Sequence, residues 1–376
     1  MDSRETKRTV PVPSVGADGE QPISQATAMS ISEAATENNP QEKSLEERLL
    51  EMRRMTDPAY LPTISMSELY QNVYQGRPPI IDGLLYPGTY LFAGAPKVGK
   101  SFLMAQLAYH VSMGLPLWGY PVHKGTVLYL ALEDDHRRLQ GRLYRMFGMD
   151  GTNDLLFAIH AKQLGVGLEG QLKMFVREHP DTKLIIIDTL QKVREAGGDK
   201  YSYANDYEVV GTLKRLADDC GICHLLVHHT RKQQADDKFD MISGTNGLLG
   251  AADGAFLLQK EKRTDGSAIL DVAGRDQQDQ RLLLDFDREQ CVWKLTKAET
   301  ELWKEPADPV LEAIAKVLSE EQPQWSGTAS ELLQLLPEMD MQPNILTRKL
   351  NISMERLFVD YGIRYESKRG HSSRMI

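Results

Sequence analysis

Eight consecutive residues, Gly94-Ala95-Pro96-Lys97-Val98-Gly99-Lys100-Ser101, fit the spacing G-x-x-x-x-G-K-[ST] at every fixed position. Glycines at these positions let backbone N–H groups close around phosphate oxygens, and a helix that starts there adds a favourable dipole. In such a loop Lys100 contacts the β- and γ-phosphates, and the Ser101 hydroxyl holds Mg²⁺. We therefore assign a nucleoside triphosphate site to Gly94, Ala95, Pro96, Lys97, Val98, Gly99, Lys100, Ser101 and the next residue, Phe102.

The loop requires a strand before it and a helix after it, and the flanking sequence predicts both. Tyr90–Ala93 is an apolar run, and residues 102–113 have the pattern of a helix with an apolar face. Three later apolar runs are typical of strands buried on both faces, namely 125–132, 183–188 and 223–229. Strands that alternate with helices predict a parallel α/β sheet. Four shorter runs between residues 255 and 295 predict an antiparallel meander that extends this sheet at one edge.

Two carboxylates follow predicted strands at their carboxyl ends, where ligands bind to open α/β sheets. Asp188 follows four apolar residues and fits a Walker B aspartate that holds a water on Mg²⁺. The alternative is a cap for the following helix. Glu133 fits a general base that polarises the attacking water. Asp134 and Asp135 are adjacent alternatives for that base.

Histidines and an arginine complete the set of candidate residues. His228 and His229 end a third strand, where a neutral imidazole can hydrogen-bond the γ-phosphate or its water. A zinc pair is the alternative, although adjacent strand residues point to opposite faces. Arg275 follows a meander strand and is a candidate arginine finger, supplied in trans to stabilise charge in phosphoryl transfer. Its alternative is a surface salt bridge.

The order of these motifs resembles the RecA-type ATPases: the phosphate loop, Leu-Glu-Asp-Asp, Ile-Ile-Asp-Thr, His-His-Thr-Arg-Lys, Ser-Gly-Thr and Gly-Arg-Asp. More narrowly, it resembles the plasmid replicative helicase RepA and its phage and mobile-element relatives, which are similar to the core of DnaB-type helicases. The resemblance covers roughly residues 80–295 and implies a RecA-like core that hydrolyses ATP. It also implies a homo-oligomeric ring, usually a hexamer, with ATP between subunits and single-stranded DNA in the channel. A replication initiator or a primase is a further candidate partner.

The resemblance also assigns roles to individual residues. Lys100 and Ser101 bind phosphate and Mg²⁺, Glu133 is the base, Asp188 is the Walker B residue, His229 is the sensor and Arg275 is the finger. Residues 231–244 become a channel loop, with Arg231, Lys232 and Lys238 as candidate DNA contacts. Because the same loop carries three aspartates, a mobile surface loop is the alternative.

Composition and charge restrict the classes of protein. Of 376 residues, 41% are hydrophobic and 26% are charged, as in ordinary soluble globular proteins. Three cysteines give no disulfide framework, and no apolar run approaches the length of about 18 residues that a membrane helix needs. The N-terminus shows no apolar signal segment, so we expect a cytoplasmic protein without a membrane partner. Because the formal net charge is −9, nucleic-acid binding must depend on local basic patches.

The chain is predicted to have four parts. Residues 1–43 are rich in small, polar and acidic residues and predict a disordered tail. Residues 44–76 predict a helical arm, which packs on its own domain or docks onto a neighbouring subunit. Residues 77–304 form the RecA-like core, and residues 305–376 form a C-terminal domain.

The C-terminal domain resembles a winged helix. Residues 310–319, a segment that begins near Trp325, and residues 344–359 each predict a helix, and a basic hairpin follows around Lys368 and Arg369. From Arg348 to the end, seven basic residues oppose three acidic ones. This excess makes Arg348, Lys368 and Arg369 candidate DNA contacts, with the third helix in a groove. A winged helix used for protein contacts is the alternative.

The sequence as a whole predicts a ring-forming ATPase motor on DNA. A regulatory ATPase, or a partner of a replication initiator that binds DNA without unwinding it, is the alternative function.

Overall fold

The computed structural model describes residues 45–74, 76–194, 203–231, 238–242, 246–260, 262, 266–275, 277–300, 306–318, 323–336, 338–369 and 374–375. The predicted tail, residues 1–43, and Lys232 lie outside these ranges. The chain consists of two compact units, Met1–Met66 and Ser67–Ile376. In the described part of the first unit, helix α1 spans Leu45–Thr56. Leu49, Leu50 and Met52 are exposed on this helix.

The second unit is built on a mixed sheet. Its strands are β1 (Gly88–Gly94), β2 (Thr126–Ala131), β3 (Leu155–Ala158), β4 (Thr182–Asp188), β5 (Cys223–His229), β6 (Gly254–Gln259), β7 (Ser267–Gly274), β8 (Gln280–Asp287) and β9 (Val292–Ala298). Across the sheet they lie in the order β3-β2-β4-β5-β1-β6-β7-β8-β9. The first six are parallel, and β7, β8 and β9 continue as antiparallel strands. The predicted parallel sheet with an antiparallel edge is therefore confirmed.

Helices cover both faces of the sheet, as the apolar strands require. They are α3 (Lys100–Met113), α4 (His136–Phe147), α5 (Leu168–Glu178), α6 (Leu190–Val193), α7 (Tyr203–Cys220) and α8 (Asn246–Ala251); the short helix α2 (Met66–Gln71), which buries no residue, precedes the first strand. Tyr90 and Phe92 of β1 pack into the core under α3 and α4, whereas Leu91 and Ala93 pack into the core under α5, α7 and α8. Within the described ranges, no helix combines the length and apolarity needed to cross a membrane.

The C-terminal residues form a separate hydrophobic cluster. It is built from α9 (Pro309–Val317), α10 (Ala329–Gln334), α11 (Pro343–Ile352) and α12 (Met354–Tyr361). The short strands β10 (Lys368–Arg369) and β11 (Arg374–Met375) pair antiparallel, and Thr328 forms a bridge with Met375.

The single helix predicted over residues 344–359 is wrong, because the chain bends at Ser353. This residue ends α11 by donating its N–H to the Lys349 carbonyl, and its own carbonyl accepts from Leu357 to start α12. The bend lets Leu350 and Leu357 reach the same cluster. The buried Asn351 attaches α2 to this domain, because its side-chain amide donates to the carbonyls of Tyr70 and Gln71 at 3.1 Å each.

Candidate nucleotide-binding site

The predicted phosphate loop lies between β1, which ends at Gly94, and α3, which begins at Lys100. Glycine is required at both of its fixed glycine positions. Gly99 has a φ of 108°, a region that side chains with a Cβ rarely adopt. At Gly94 a Cβ would lie 2.7 Å from the Leu258 carbonyl oxygen. The strand, loop and helix thus have the local form that the motif needs.

Lys100 is buried inside this loop. Its ammonium donates to the carbonyls of Gly94 (2.8 Å) and Ala95 (3.1 Å). Burial lowers the pKa of Lys100 to about 8, although the nearby carboxylates of Asp188 and Glu133 act in the opposite direction. A cation that has lost its hydration and is held by neutral carbonyls gains most from an anionic partner. The loop therefore presents a charge suited to phosphate.

Asp188 is buried at the carboxyl end of β4 and is held by two hydroxyl groups. Ser101 Oγ and Tyr129 Oη each donate to its Oδ2 at 2.8 Å. Its carboxylate does not cap the next helix, since the N-cap of α6 is Thr189. Burial raises the pKa of Asp188, and the two hydroxyl donors oppose that rise. The capping alternative is therefore excluded by the geometry.

The Ser101 hydroxyl and the Asp188 carboxylate form a donor set that suits Mg²⁺. This ion prefers oxygen ligands and retains several waters, so a hydroxyl beside one carboxylate is appropriate chemistry. The two groups are already adjacent, since Ser101 Oγ donates to Asp188 Oδ2 at 2.8 Å. These residues thus fit the ion that the sequence implies.

Among the three acidic residues after β2, only Glu133 remains available for chemistry. Asp135 caps α4 by accepting the Arg138 N–H at 2.8 Å. Asp134 is paired with Arg142, whose Nη1 lies 2.7 Å from its Oδ2. Glu133 instead accepts the Thr189 hydroxyl at 3.3 Å, beside Asp188. The geometry favours Glu133 as the base over its two neighbours.

His229 faces the phosphate loop from the end of β5. Its Nδ1 lies 3.3 Å from Lys100 Nζ. Because an ammonium only donates, Nδ1 must accept and the ring proton must lie on Nε2. Burial, and then the charge of Lys100, lowers the pKa of His229, so the imidazole is neutral near pH 7. His228, the other member of the pair, is buried.

Arg275 lies near the amino ends of the parallel strands, at the end of the sheet opposite the phosphate loop. Because β7 is antiparallel to β6, its carboxyl end at Gly274 pairs with Gly254 at the amino end of β6. The exposed Arg275 guanidinium donates to the Gly250 carbonyl at 3.0 Å. Arg275 therefore does not lie with Lys100, Asp188 and His229 at the carboxyl ends of the parallel strands. Its assignment as a finger for a neighbouring subunit stays a prediction.

The candidate DNA contacts are scattered. Arg231 is exposed, and its N–H bonds the Met241 carbonyl at 2.7 Å, which closes the base of the predicted channel loop. Lys238 pairs with Asp271 on β7 at 3.4 Å. Arg348 is half-buried in α11. Lys232 lies outside the described residues, as do the side chains of Lys368 and Arg369, whose backbones form β10.

Two side chains at this site were missed from the sequence. Tyr129 and Thr189 hold Asp188 and Glu133, respectively. Thr189 directly follows Asp188, so its place in the chain was a usable signal. Tyr129 is the one residue with a hydroxyl in the apolar run Val127–Leu132, and nothing in the sequence indicates its distant partner.

Comparisons with known proteins show which domains and structures this chain resembles. A family model described as an AAA domain matches residues 56–235, which include the loop, Glu133, Asp188 and His229. A solved structure described as an ATPase domain is 15% identical, with a TM-score of 0.49, over 68% of this chain and 100% of that chain. A DnaB-like replicative helicase, studied with its primase interactions, is 16% identical, with a TM-score of 0.49, over 67% of this chain and 72% of that chain. A KaiC-like protein from the hyperthermophilic archaeon Pyrococcus horikoshii OT3 is 13% identical, with a TM-score of 0.42, over 60% of this chain and 99% of that chain. No curated protein matches the chain.

Proposed function

We propose that this protein is a Mg²⁺-dependent ATPase with a RecA-type core that works as a ring-shaped motor on DNA, in the manner of a RepA-like replicative helicase. The observation that carries the ATPase proposal is the convergence of Lys100, Ser101, Asp188, Glu133 and His229 around one loop. The AAA-domain match over the same residues supports it. The DNA motor is supported by the order of motifs in the sequence.

Each side chain has a role that follows from its partners. Lys100 exchanges the carbonyls of Gly94 and Ala95 for phosphate oxygens. Ser101 and Asp188 hold Mg²⁺, which, when bound, neutralises charge on the phosphates. Glu133, oriented by the Thr189 hydroxyl, takes a proton from the attacking water. Neutral His229 hydrogen-bonds the terminal phosphate or its water, and contacts Lys100 on its other side.

Ring assembly would give Arg275 a nucleotide site to act on. Arg275 lies near the amino ends of the parallel strands, whereas the phosphate loop follows the carboxyl end of β1. Within a ring, only a neighbouring subunit's nucleotide is therefore available to it. Arg275→Ala and Lys100→Ala subunits should each be inactive alone. Mixed, they should regain hydrolysis at interfaces that pair an intact loop with an intact arginine, about one in four for random assembly. No regain on mixing would exclude the finger.

The hydrolysis test is steady-state ATP turnover with and without single-stranded DNA. Lys100→Ala should abolish turnover, and Lys124→Ala should not, because Lys124 sits in an exposed ion pair with Asp154. Stimulation by single-stranded DNA supports the motor and leads to a strand-displacement assay. Turnover that does not respond to DNA refutes the motor and favours a regulatory ATPase. A rate equal to that of Lys100→Ala refutes the ATPase.

The C-terminal domain supports a second candidate function, as a protein-binding module of winged-helix type. Its α11 and α12 expose Ile352, Phe358 and Val359, each by about 60%. Two basic residues of the same helices have acidic partners, Lys349 with Asp308 and Arg356 with Asp360. This surface favours a replication partner such as an initiator or a primase over a DNA groove. Duplex DNA binding that survives Phe358→Ser but not Arg348→Ala would contradict it.

A further inference from the structure

Trp293 contacts the phosphate loop from a distant part of the sheet. It lies near the start of β9, which is four strands away from β1 in the sheet. The sheet brings β9 back against α3, and the Trp293 side chain is completely buried. Its position in the fold is therefore beneath the loop that the proposed function uses, although no motif contains it.

The contact is made to Gly99. Trp293 Nε1 donates to the Gly99 carbonyl at 3.3 Å. The indole ring lies so close that a Cβ on Gly99 would be 2.9 Å from its Cζ2. The left-handed backbone of Gly99 thus leaves room for the nitrogen-bearing side of the indole, which a side chain at this position would occupy. Together, Gly99 and the indole fix the peptide from which α3 starts.

The backbone of Trp293 is held by two side chains, one from α3 and one from the residues that follow it. The buried Gln106 amide of α3 clamps its backbone, donating to the Trp293 carbonyl (2.9 Å) and accepting the Trp293 N–H (2.8 Å). Trp118 donates its indole N–H to the same carbonyl at 2.7 Å. The ammonium of Lys260 lies 5.0 Å from the Trp293 ring centroid. The Gln106 and Trp118 contacts fix the backbone of Trp293, and the Gly99 hydrogen bond, the Lys260 contact and complete burial restrict its ring.

We propose that Trp293 is a positioning residue that holds the phosphate loop in its binding conformation and thereby sets the affinity for nucleotide. This rests on the proposed function. A loop that is already ordered loses less conformational entropy when it closes around phosphate, so the contact with Trp293 strengthens binding. Because this contact favours the binding of substrate and of transition state equally, it changes KM and not kcat.

The first test compares Trp293→Phe with wild type. Phenylalanine keeps an aromatic ring under the loop but cannot donate to Gly99. Equilibrium titration with a fluorescent ADP and Mg²⁺ should give a Kd raised about three- to tenfold, the range of one net hydrogen bond. The KM for ATP should rise by the same factor, with kcat within about twofold of wild type. Trp325→Phe, in the separate C-terminal cluster, is the matched control and should leave both constants unchanged.

A second test uses the unaltered protein, so it does not depend on the variant folding. If Trp293 favours the binding conformation, then bound nucleotide must stabilise the Trp293 contacts to the same extent. Hydrogen exchange of the Trp293 amide, which donates to Gln106, should therefore slow about three- to tenfold with Mg-ADP. The amides of β7, which do not contact the loop, serve as the internal control.

The outcomes separate this inference from the proposed function. Wild-type protein that binds nucleotide, together with a folded Trp293→Phe of equal affinity, overturns the role of Trp293 alone. Exchange at Trp293 that does not respond to Mg-ADP overturns it as well. Wild-type protein that binds no nucleotide overturns both proposals.

Discussion

Replacing Tyr129 with phenylalanine tests how the protein holds its Mg²⁺ carboxylate. The tyrosine is completely buried on β2, and its hydroxyl donates to Asp188 Oδ2 at 2.8 Å. The substitution removes only that oxygen and retains the ring. Ser101 is then the remaining side-chain donor to Asp188 Oδ2 among the described residues.

The expected size of the effect follows from the type of interaction. Hydrogen bonds to charged groups contribute about 1.5–3 kcal/mol, and 1.4 kcal/mol corresponds to a factor of ten. Loss of an outer partner of a metal-binding group costs about 10- to 100-fold in metal affinity. We therefore expect half-saturation by Mg²⁺ to require about 10- to 100-fold more ion. Burial already raises the pKa of Asp188, and removing a hydroxyl that favours the carboxylate raises it further.

The assay is ATP turnover against Mg²⁺ concentration, followed by kcat/KM against pH. In Tyr129→Phe the acid limb of the profile should move to higher pH, because protonation of Asp188 competes with Mg²⁺. Excess Mg²⁺ should restore most of the lost activity. Tyr144→Phe, at an exposed tyrosine on α4, is the control and should behave as wild type. A folded Tyr129→Phe whose Mg²⁺ dependence and acid limb both coincide with wild type would refute the reasoning.

Three further predictions concern the same site. Glu133→Gln should lower kcat by about 10²- to 10⁴-fold with unchanged ADP affinity. Asp135→Ala should keep kcat but lower the free energy of unfolding by about 1 kcal/mol, because it removes the cap of α4. An equal loss of kcat in both variants would contradict the assignment of Glu133 as the base. Nucleotide binding should take up a proton above a pH of about 8, because a bound phosphate raises the lowered pKa of Lys100 again. Calorimetry in buffers of different ionisation enthalpy measures the number of protons taken up. No uptake at a pH of about 9 would count against this role of Lys100. Asp188→Asn should lower turnover more than Tyr129→Phe does, because it removes the carboxylate itself, and should raise the melting temperature of the nucleotide-free protein. The sign follows because burial holds the native pKa of Asp188 above its unfolded value, so ionisation on raising the pH through that interval destabilises the wild type; a lower melting temperature would disprove it.

The sequence by itself determined the loop, its flanking strand and helix, and the architecture of the sheet. The reason is that these features are local. The spacing from Gly94 to Ser101 defines a backbone conformation, and apolar runs such as Lys183–Asp188 identify strands covered on both faces. Four short runs with turns between them were enough to predict an antiparallel edge, which β7, β8 and β9 form.

Tertiary structure alone decided which side chains meet. Glu133 is distinguished from Asp134 and Asp135 only by their partners, which come from α4 and from the end of β4. Arg275 comes at the carboxyl end of its strand, as Asp188 does. Because β7 runs antiparallel to β6, that end lies beside the amino ends of the parallel strands, away from Asp188.

The contacts of Tyr129 and Trp293 show why such choices cannot be read from the chain. Tyr129 meets Asp188 across 59 residues, and Trp293 meets Gly99 across 194. Strand pairing and burial create these contacts, and neither leaves a periodic or spaced signal in the sequence around either partner. The sequence therefore specifies where phosphate can bind, and the folded sheet specifies the neighbours that orient the site.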